Sequence, residues 1–308
     1  MHLTGVYTAI VTPFTQEGHI DHEGLRRNLR FQVEQGVDGV VVLGTTGESP
    51  TLSPDEKKQV IQIAVEEVKG QISLLVGTGS YSTQQTLLQT QQAEAEGADA
   101  ALIVTPYYNK PTQEGIYQHF QAICRATRLP ICVYNIQGRT GQNIQTDTLK
   151  RIAEFETIIG VKEASGNITQ MGDVIETIVA AYPHFSVLSG DDALTLPLMA
   201  LGGHGVISVV SNLVPHAVCA LVKAAQAGRF TEARKWHYQL LPLFKSAFIE
   251  TNPIPIKAAM EWCGMAAGPC RLPLCDLSST SAQFLQQVVQ TLPRAWLGTY
   301  GQTQSAFR

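Results

Sequence analysis

Eight short apolar segments recur along the chain at intervals of roughly 20 to 35 residues. They are VYTAIVTP, GVVVLGTTG, ISLLVGTG, AALIVTPYY, PICVYNI, IIGVKEAS, FSVLSGDD and GVISVVSN. Most of them are apolar without alternating polar positions, which is typical of parallel strands that are covered on both faces. Each segment is followed by Gly, Pro, Asn, Asp or Ser, residues that favour turns. The pattern therefore predicts eight buried parallel strands.

The stretches between these segments have the periodicity of amphipathic helices. The stretch SPDEKKQVIQIAVEEVK begins with Ser53 as a predicted N-cap, Pro54 at the first helical position and Glu56 three residues after the cap. Alternating strands and helices predict a (β/α)8 TIM barrel of the α/β class. A doubly wound open sheet is the alternative, but it concentrates polar residues at one switch point, whereas here they follow almost every strand.

The pattern changes after GVISVVSN, where helical periodicity continues to about residue 292 with no convincing strand. We therefore expect a barrel over residues 1–226 that carries the active site. We expect a C-terminal helical region over residues 227–296 and a disordered tail over residues 297–308.

Composition and charge exclude several classes of protein. The chain has 308 residues, 44% of them hydrophobic, and a formal net charge of −4. It lacks the basic surface that nucleic acid or an anionic membrane would need. Its N-terminus does not have the pattern of a signal peptide, and no apolar run approaches the roughly 18 residues that span a bilayer. A cytoplasmic protein with neither nucleic-acid nor membrane partners is expected.

Common cofactor and hydrolase motifs are absent from the sequence. There is no dinucleotide-binding glycine pattern after the first strand, no P-loop and no Gly-x-Ser-x-Gly elbow. The histidines do not fall at metal-ligand spacing, and the six cysteines are scattered without Cys-x-x-Cys pairs. We expect no metal, and we expect all the cysteines to be reduced thiols.

Lys162 stands at the end of the apolar run IIGV, where a buried ammonium group would be costly. Two interpretations remain equally open from the residues: a salt bridge inside the barrel, or an amine nucleophile. A lysine desolvated in apolar surroundings loses affinity for its proton and can attack a ketone to form an imine. Tyr134, on the preceding strand, is placed to move protons. Glu163 should point to the opposite face of its strand, so we do not expect its carboxylate to neutralise Lys162.

Further polar residues follow the other strands. Thr45 and Thr46 in GTTGES either hold a small carboxylate or make local turn bonds. Tyr107 and Tyr108 in TPYYNKP either belong to the site or lie at a subunit interface, and the residues favour neither interpretation. Arg139 in YNIQGRTG is either a solvated surface charge or a bidentate hydrogen-bond donor to a carboxylate.

Taken together, these motifs identify a resemblance to a known family. GTTGES, TPYYNKPTQEGIYQHF, YNIQGRTG, IIGVKEASGN, LSGDDALTLPLMALGGHGVISV and NPIPIK occur in the order found in the dihydrodipicolinate synthase / N-acetylneuraminate lyase family of class I aldolases. The resemblance covers roughly residues 4 to 293. It implies a TIM-barrel lyase that holds pyruvate as a Schiff base on Lys162, uses no cofactor and assembles as a homotetramer of tight dimers.

The resemblance also implies a role for each site residue. The catalytic group would be Lys162 with a proton relay of Tyr134, Thr45 and Tyr108, the last supplied by the neighbouring subunit. Thr46 would hold the pyruvate carboxylate, Arg139 would bind the carboxylate of L-aspartate 4-semialdehyde, and Gly190 and Ile207 would line the pyruvate pocket. These roles imply condensation of the two substrates in lysine and diaminopimelate biosynthesis.

The alternative within the family is an aldolase that cleaves N-acetylneuraminate or a 2-keto-3-deoxy sugar acid. Arg139 favours the condensation, since a sialic acid lyase should not need an arginine there. Gln137 replaces the usual proline of this motif, and losing that fixed φ would loosen the loop.

Regulation is expected to differ from that of lysine-inhibited members of the family. The positions matching their lysine site are Pro54, Lys57, Tyr81 and Gln85, although Ser49 and Tyr107 are kept. A cation at Lys57 disfavours a cationic ligand, so we expect weak or absent inhibition by lysine.

Overall fold

A computed structural model describes residues 1–302 of the chain. Its eight strands form a closed barrel in the order β1-β2-β3-β4-β5-β6-β7-β8. Pairing is parallel between β1 and β2 and between successive strands from β3 to β8. The strands are β1 (Gly5–Ala9), β2 (Gly39–Val42), β3 (Ser73–Gly77), β4 (Ala100–Val104), β5 (Ile131–Asn135), β6 (Ile158–Glu163), β7 (Ser186–Ser189) and β8 (Gly205–Ser208). All eight lie within the apolar segments or begin one residue before them, and the predicted TIM barrel is confirmed.

Helices separate the strands, as the periodicity predicted. They are α1 (His22–Glu34), α2 (Pro54–Val68), α3 (Thr83–Glu96), α4 (Gln113–Cys124), α5 (Gln137–Thr140), α6 (Thr146–Ala153), α7 (Ile168–Val174), α8 (Thr195–Ala200) and α9 (Pro215–Gln226). A π-helical turn, Ile175–Val179, continues α7. The capping box predicted for α2 is present: Ser53 accepts from the backbone N–H of Glu56, whose side chain accepts from the backbone N–H of Ser53.

The chain divides into two compact units. One comprises residues 1–5 and 75–207, and it includes β4 to β7 with the loops that follow them. The other comprises residues 6–74 and 208–308, of which the structure describes the part up to 302. This second unit contains β2 and all the C-terminal helices.

The C-terminal region consists of α10 (Phe230–Ser246), α11 (Ile254–Trp262) and α12 (Ser279–Gln290), followed by 3-10 turns at Arg294–Gln302. No strand occurs beyond β8 in the part of the chain that the structure describes. The disordered tail predicted for residues 297–308 falls partly on those 3-10 turns, and residues 303–308 lie outside the described residues.

No helix within residues 1–302 combines the length and the apolar character needed to cross a membrane. Within the same range, no group of three or more His, Cys, Asp or Glu side chains is placed to hold a metal ion. The described cysteines are all free thiols.

Candidate active site

Lys162 and Tyr134 lie side by side on adjacent parallel strands. Their Cα atoms are paired in the register between β5 and β6, and each residue is only 5% exposed. The Nζ atom of Lys162 lies 4.4 Å from the centroid of the Tyr134 ring. The strand pairing thus holds a buried amine against the face of a phenol, the pair that the sequence singled out.

Glu163 points away from Lys162, as strand alternation predicted. Its carboxylate accepts hydrogen bonds from the backbone N–H of Ser165 at 2.7 Å and from Nδ2 of Asn135 at 3.1 Å. Burial raises the pKa of this carboxyl group, while the bonds from Ser165 and Asn135 oppose the rise. The carboxylate next to Lys162 in sequence is therefore committed to the opposite face of β6.

Gly190 follows β7 and packs against the stem of Lys162. A Cβ atom at this position would lie 2.7 Å from Ala164 Cβ and 3.0 Å from Lys162 Cε. These distances are shorter than normal contacts between carbon atoms. Absence of a side chain at Gly190 is what leaves room for the lysine, and the backbone N–H of Gly190 is fixed by a bond to the carbonyl of Glu163 at 2.8 Å.

The loop after β5 carries Arg139 on the short helix α5. The turn closes through a bond from the backbone N–H of Gly141 to the carbonyl of Gln137 at 2.9 Å, with Gly141 at φ 76°. Arg139 and Gln137 are exposed, whereas Thr140 is buried. Replacement of the usual proline by Gln137 is thus compatible with a closed helical turn.

Tyr108 lies on the loop after β4 in an unusual conformation. Its φ is 69°, a region that bulky residues rarely adopt, and its side chain is 89% exposed. The neighbouring Tyr107 packs edge-on against Tyr81, with ring centroids 5.6 Å apart. The loop therefore packs Tyr107 against another ring and leaves the side chain of Tyr108 exposed.

The second unit holds the two threonines of GTTGES. Thr46 is buried and Thr45 is half-buried. Nδ2 of Asn252 donates to Oγ1 of Thr46 at 3.0 Å. Two residues of this loop, Leu43 and Glu48, have positive φ angles of 56° and 53°. The loop is a sharply folded segment whose buried hydroxyl is contacted by the C-terminal region.

A buried ion pair close to this loop was missed by the sequence reasoning. Nζ of Lys257 bonds to Oε1 of Glu48 at 2.8 Å and to the carbonyl oxygens of Thr12 and Pro269 at 3.2 and 2.8 Å. Burial lowers the pKa of Lys257, while Glu48 opposes the fall. The signal was available, since Lys257 ends the apolar run NPIPIK much as Lys162 ends IIGV.

The structure thus groups the predicted residues in distinct ways. Lys162, Tyr134 and Gly190 are in contact or paired within one unit. Ile207 is fully buried in β8. Arg139 and Tyr108 stand exposed on loops that follow β5 and β4. In TIM-barrel enzymes the loops after the strands carry the chemistry, and every predicted residue lies in such a loop or toward the end of a strand.

Comparison with known proteins places these residues in a family context. The model of the Dihydrodipicolinate synthetase family matches residues 2–292. A protein of Protochlamydia amoebophila named 4-hydroxy-tetrahydrodipicolinate synthase is 62% identical over 96% of this chain and 99% of its own length. One of Methanococcus vannielii with the same name is 47% identical over 94% of this chain and 99% of its own.

Solved structures show the same similarity. Dihydrodipicolinate synthase from Thermotoga maritima superposes with a TM-score of 0.92 at 44% identity, covering 94% of this chain and 98% of that one. A relative from Cyanidioschyzon merolae, crystallised with lysine bound, has a TM-score of 0.90 at 39% identity over 94% of this chain and 98% of its own.

Proposed function

The chain belongs to the dihydrodipicolinate synthetase family, and from that premise we propose that it has 4-hydroxy-tetrahydrodipicolinate synthase activity. This is the activity for which its relatives are named. The chain is an enzyme, a lyase of the Schiff-base type. The resemblance expected from the motifs is confirmed by the family match over residues 2–292.

The reaction begins at Lys162. Its amine attacks C2 of pyruvate, and loss of water gives an imine to the lysine. Removal of a proton from C3 converts the imine to an enamine, whose carbon attacks the aldehyde of L-aspartate 4-semialdehyde and forms the new C–C bond. The amino group of the semialdehyde then attacks the imine carbon, closes the ring and releases the Lys162 amine.

Each of these steps moves a proton, and we assign the transfers to a relay of Tyr134, Thr45 and Tyr108. The position of Tyr134 against the lysine supports its place in the relay. Tyr108 is directed outward, which suits a residue that acts in the site of a neighbouring subunit. This assignment requires a dimer, because the relay is incomplete in a single protomer, and from the family resemblance we propose a homotetramer built from such tight dimers.

The remaining residues bind the substrates. We assign the pyruvate carboxylate to Thr46 and the pyruvate pocket to Gly190 and Ile207. Arg139 is assigned to the carboxylate of the semialdehyde, for which its planar fork of donors is suited. The same assignment disfavours cleavage of a sugar acid, which would not require an arginine at this position.

One observation carries the proposal: a buried lysine on β6 lies against Tyr134 with the side-chain-free Gly190 beside its stem. This arrangement leaves a buried primary amine against an aromatic ring, with its stem accommodated by the absence of a side chain at Gly190. No metal or organic cofactor is needed for any step, because the electrons flow into the protonated imine.

Trapping of the imine tests the proposal. The protein is incubated with pyruvate and sodium borohydride, digested and examined by mass spectrometry. We expect a reduced pyruvyl adduct on Lys162 and none in Lys162→Ala. Absence of an adduct on the wild-type lysine would refute the proposed chemistry at its first step.

Arg139→Ala separates the two substrates. The variant should form the pyruvyl adduct like the wild type yet lose condensation with the semialdehyde, because of the two substrates only the semialdehyde is assigned to Arg139. Cleavage of N-acetylneuraminate is measured in parallel as the competing activity. Equal loss of adduct formation and condensation would contradict the role given to Arg139.

The wider setting follows from the same family membership. We propose that the enzyme is cytoplasmic and acts on small-molecule substrates, with neither nucleic acid nor membrane as a partner. We also propose that the barrel of residues 1–226 carries the chemistry, and that the helical region from residue 227 to 296 supports it. The end of α9 at Gln226 is consistent with that boundary.

A further inference from the structure

The side chain of Asn252 reaches from the segment just before the C-terminal helix α11 to the threonine loop. Its Nδ2 donates to Oγ1 of Thr46 at 3.0 Å, although the two residues are 206 positions apart in the chain. Asn252 is 4% exposed and Thr46 is 2% exposed. The contact is therefore shielded from water, where a hydrogen bond fixes orientation most strongly.

The direction of this bond determines what the threonine can do. A hydroxyl group has one proton and two lone pairs. Because the amide N–H of Asn252 occupies a lone pair of Thr46 Oγ1, the hydroxyl proton is left to donate elsewhere. A carboxylate accepts hydrogen bonds and cannot donate them, so it requires this orientation.

We infer that Asn252 is a positioning residue, which holds the Thr46 hydroxyl as a donor toward the pyruvate carboxylate. The inference rests on the proposed function, in which Thr46 binds that carboxylate. It adds a residue of the C-terminal region to the determinants of pyruvate affinity. Asn252 acts through Thr46 and does not itself touch the substrate.

A second anchor keeps the two segments together. Lys257, on α11 five positions after Asn252, bonds to Glu48, which follows Thr46 by two positions. The other carboxylate oxygen of Glu48 accepts from the backbone N–H of Arg271 at 2.9 Å. The threonine loop is thus attached at two points to residues 252–257.

Asn252→Ala and Asn252→Asp test the inference against a matched control, Asn28→Ala. Asn28 is also buried, with 2% of its surface exposed against 4% for Asn252, and its Nδ2 donates to the carbonyl of Ala266 at 2.7 Å. The control therefore removes a buried asparagine donor of the same unit that does not contact Thr46. The readouts are the pyruvate concentration that gives half-maximal borohydride-trapped adduct, the KM of each substrate, kcat and the Tm.

We expect Asn252→Ala to raise the half-saturating pyruvate concentration about tenfold, the factor that corresponds to one hydrogen bond to a charged group. The kcat at saturating pyruvate and the KM for the semialdehyde should stay within about twofold of wild type, a much smaller change than the tenfold change expected for pyruvate. Asn252→Asp keeps the size of the side chain but turns the Thr46 proton toward itself and adds a like charge. It should therefore bind pyruvate more weakly still. Asn28→Ala should lower the Tm and leave pyruvate binding unchanged.

Two comparisons distinguish positioning from general support of the fold. In a Thr46→Val background, adding Asn252→Ala should have no further effect on pyruvate binding, because the hydroxyl is already gone. Additive effects of the two substitutions, or Asn252 variants that bind pyruvate as the control does, would overturn the inference while leaving the lysine adduct and the proposed function intact. A wild-type protein without any adduct would overturn both.

Discussion

Methionine in place of Lys257 removes one half of a fully buried ion pair. The side chains of Lys257 and Glu48 are 2% and 0% exposed, with Nζ and Oε1 at 2.8 Å. Methionine matches the length of the lysine stem and leaves packing against the Phe14 ring, 4.4 Å from Nζ, largely in place. The substitution therefore removes the charge and the hydrogen bonds from Nζ to Glu48, Thr12 and Pro269 with little loss of volume.

The magnitude follows from leaving the carboxylate of Glu48 without its cation. Breaking a buried pair from one side costs about 3–5 kcal/mol, because the remaining charge stays desolvated. At about 2 °C per kcal/mol for a chain of this size, the Tm should fall by about 6–10 °C. The double variant Glu48→Gln/Lys257→Met should lose less than the single one, since the amide oxygen can still accept from the backbone N–H of Arg271.

Differential scanning calorimetry of the single and double variants measures this coupling. Lys245→Met, which removes an exposed lysine at the end of α10, is the matched control and should change the Tm little. If Lys257→Met were no less stable than the double variant, the argument from an uncompensated buried charge would be wrong.

Three further outcomes are expected. Gly190→Ala should abolish adduct formation as measured by mass spectrometry, because its Cβ would meet Lys162 Cε at 3.0 Å. The control Gly172→Ala, whose Cβ would be 3.8 Å from its nearest contact, should form the adduct as the wild type does. Arg271 holds the pKa of Glu56 at about 2, below its ordinary 4.5, so this stabilisation is complete above pH 4.5 and is lost as the pH falls toward 2. The difference in Tm between wild type and Glu56→Gln should decrease as the pH falls from 4.5 to about 2. A difference that does not depend on pH would contradict this role of Arg271. Millimolar lysine should inhibit turnover weakly or not at all, although a relative was crystallised with lysine bound; strong inhibition would contradict the prediction.

The barrel could be predicted from the sequence because its signals are local. Parallel strands covered on both faces must be continuously apolar, and the turn residues that end them mark each boundary. The capping box at Ser53 and Glu56 likewise involves contacts three residues apart, and it forms as predicted. The short helix α5 was not predicted, since four residues are too few for periodicity to show.

The chemistry of Lys162 was only half determined by its own neighbourhood in the sequence. Its place at the end of an apolar strand raised the question, and a salt bridge remained as good an answer as a nucleophile. The strand register against Tyr134 and the close approach of Gly190, which follows the next strand, supplied the surroundings that favour the nucleophile.

The sequence by itself determined the eight strands, the intervening helices and the end of each strand where polar residues gather, because periodicity and turn chemistry act over a few residues. Only the tertiary structure brought Asn252 to Thr46 and Lys257 to Glu48, pairs separated by 206 and 209 positions. Nothing in a local pattern marks which distant residues will meet. Which distant residues meet is determined by the folded chain, because every buried polar group needs a hydrogen-bond partner and only the tertiary structure supplies it.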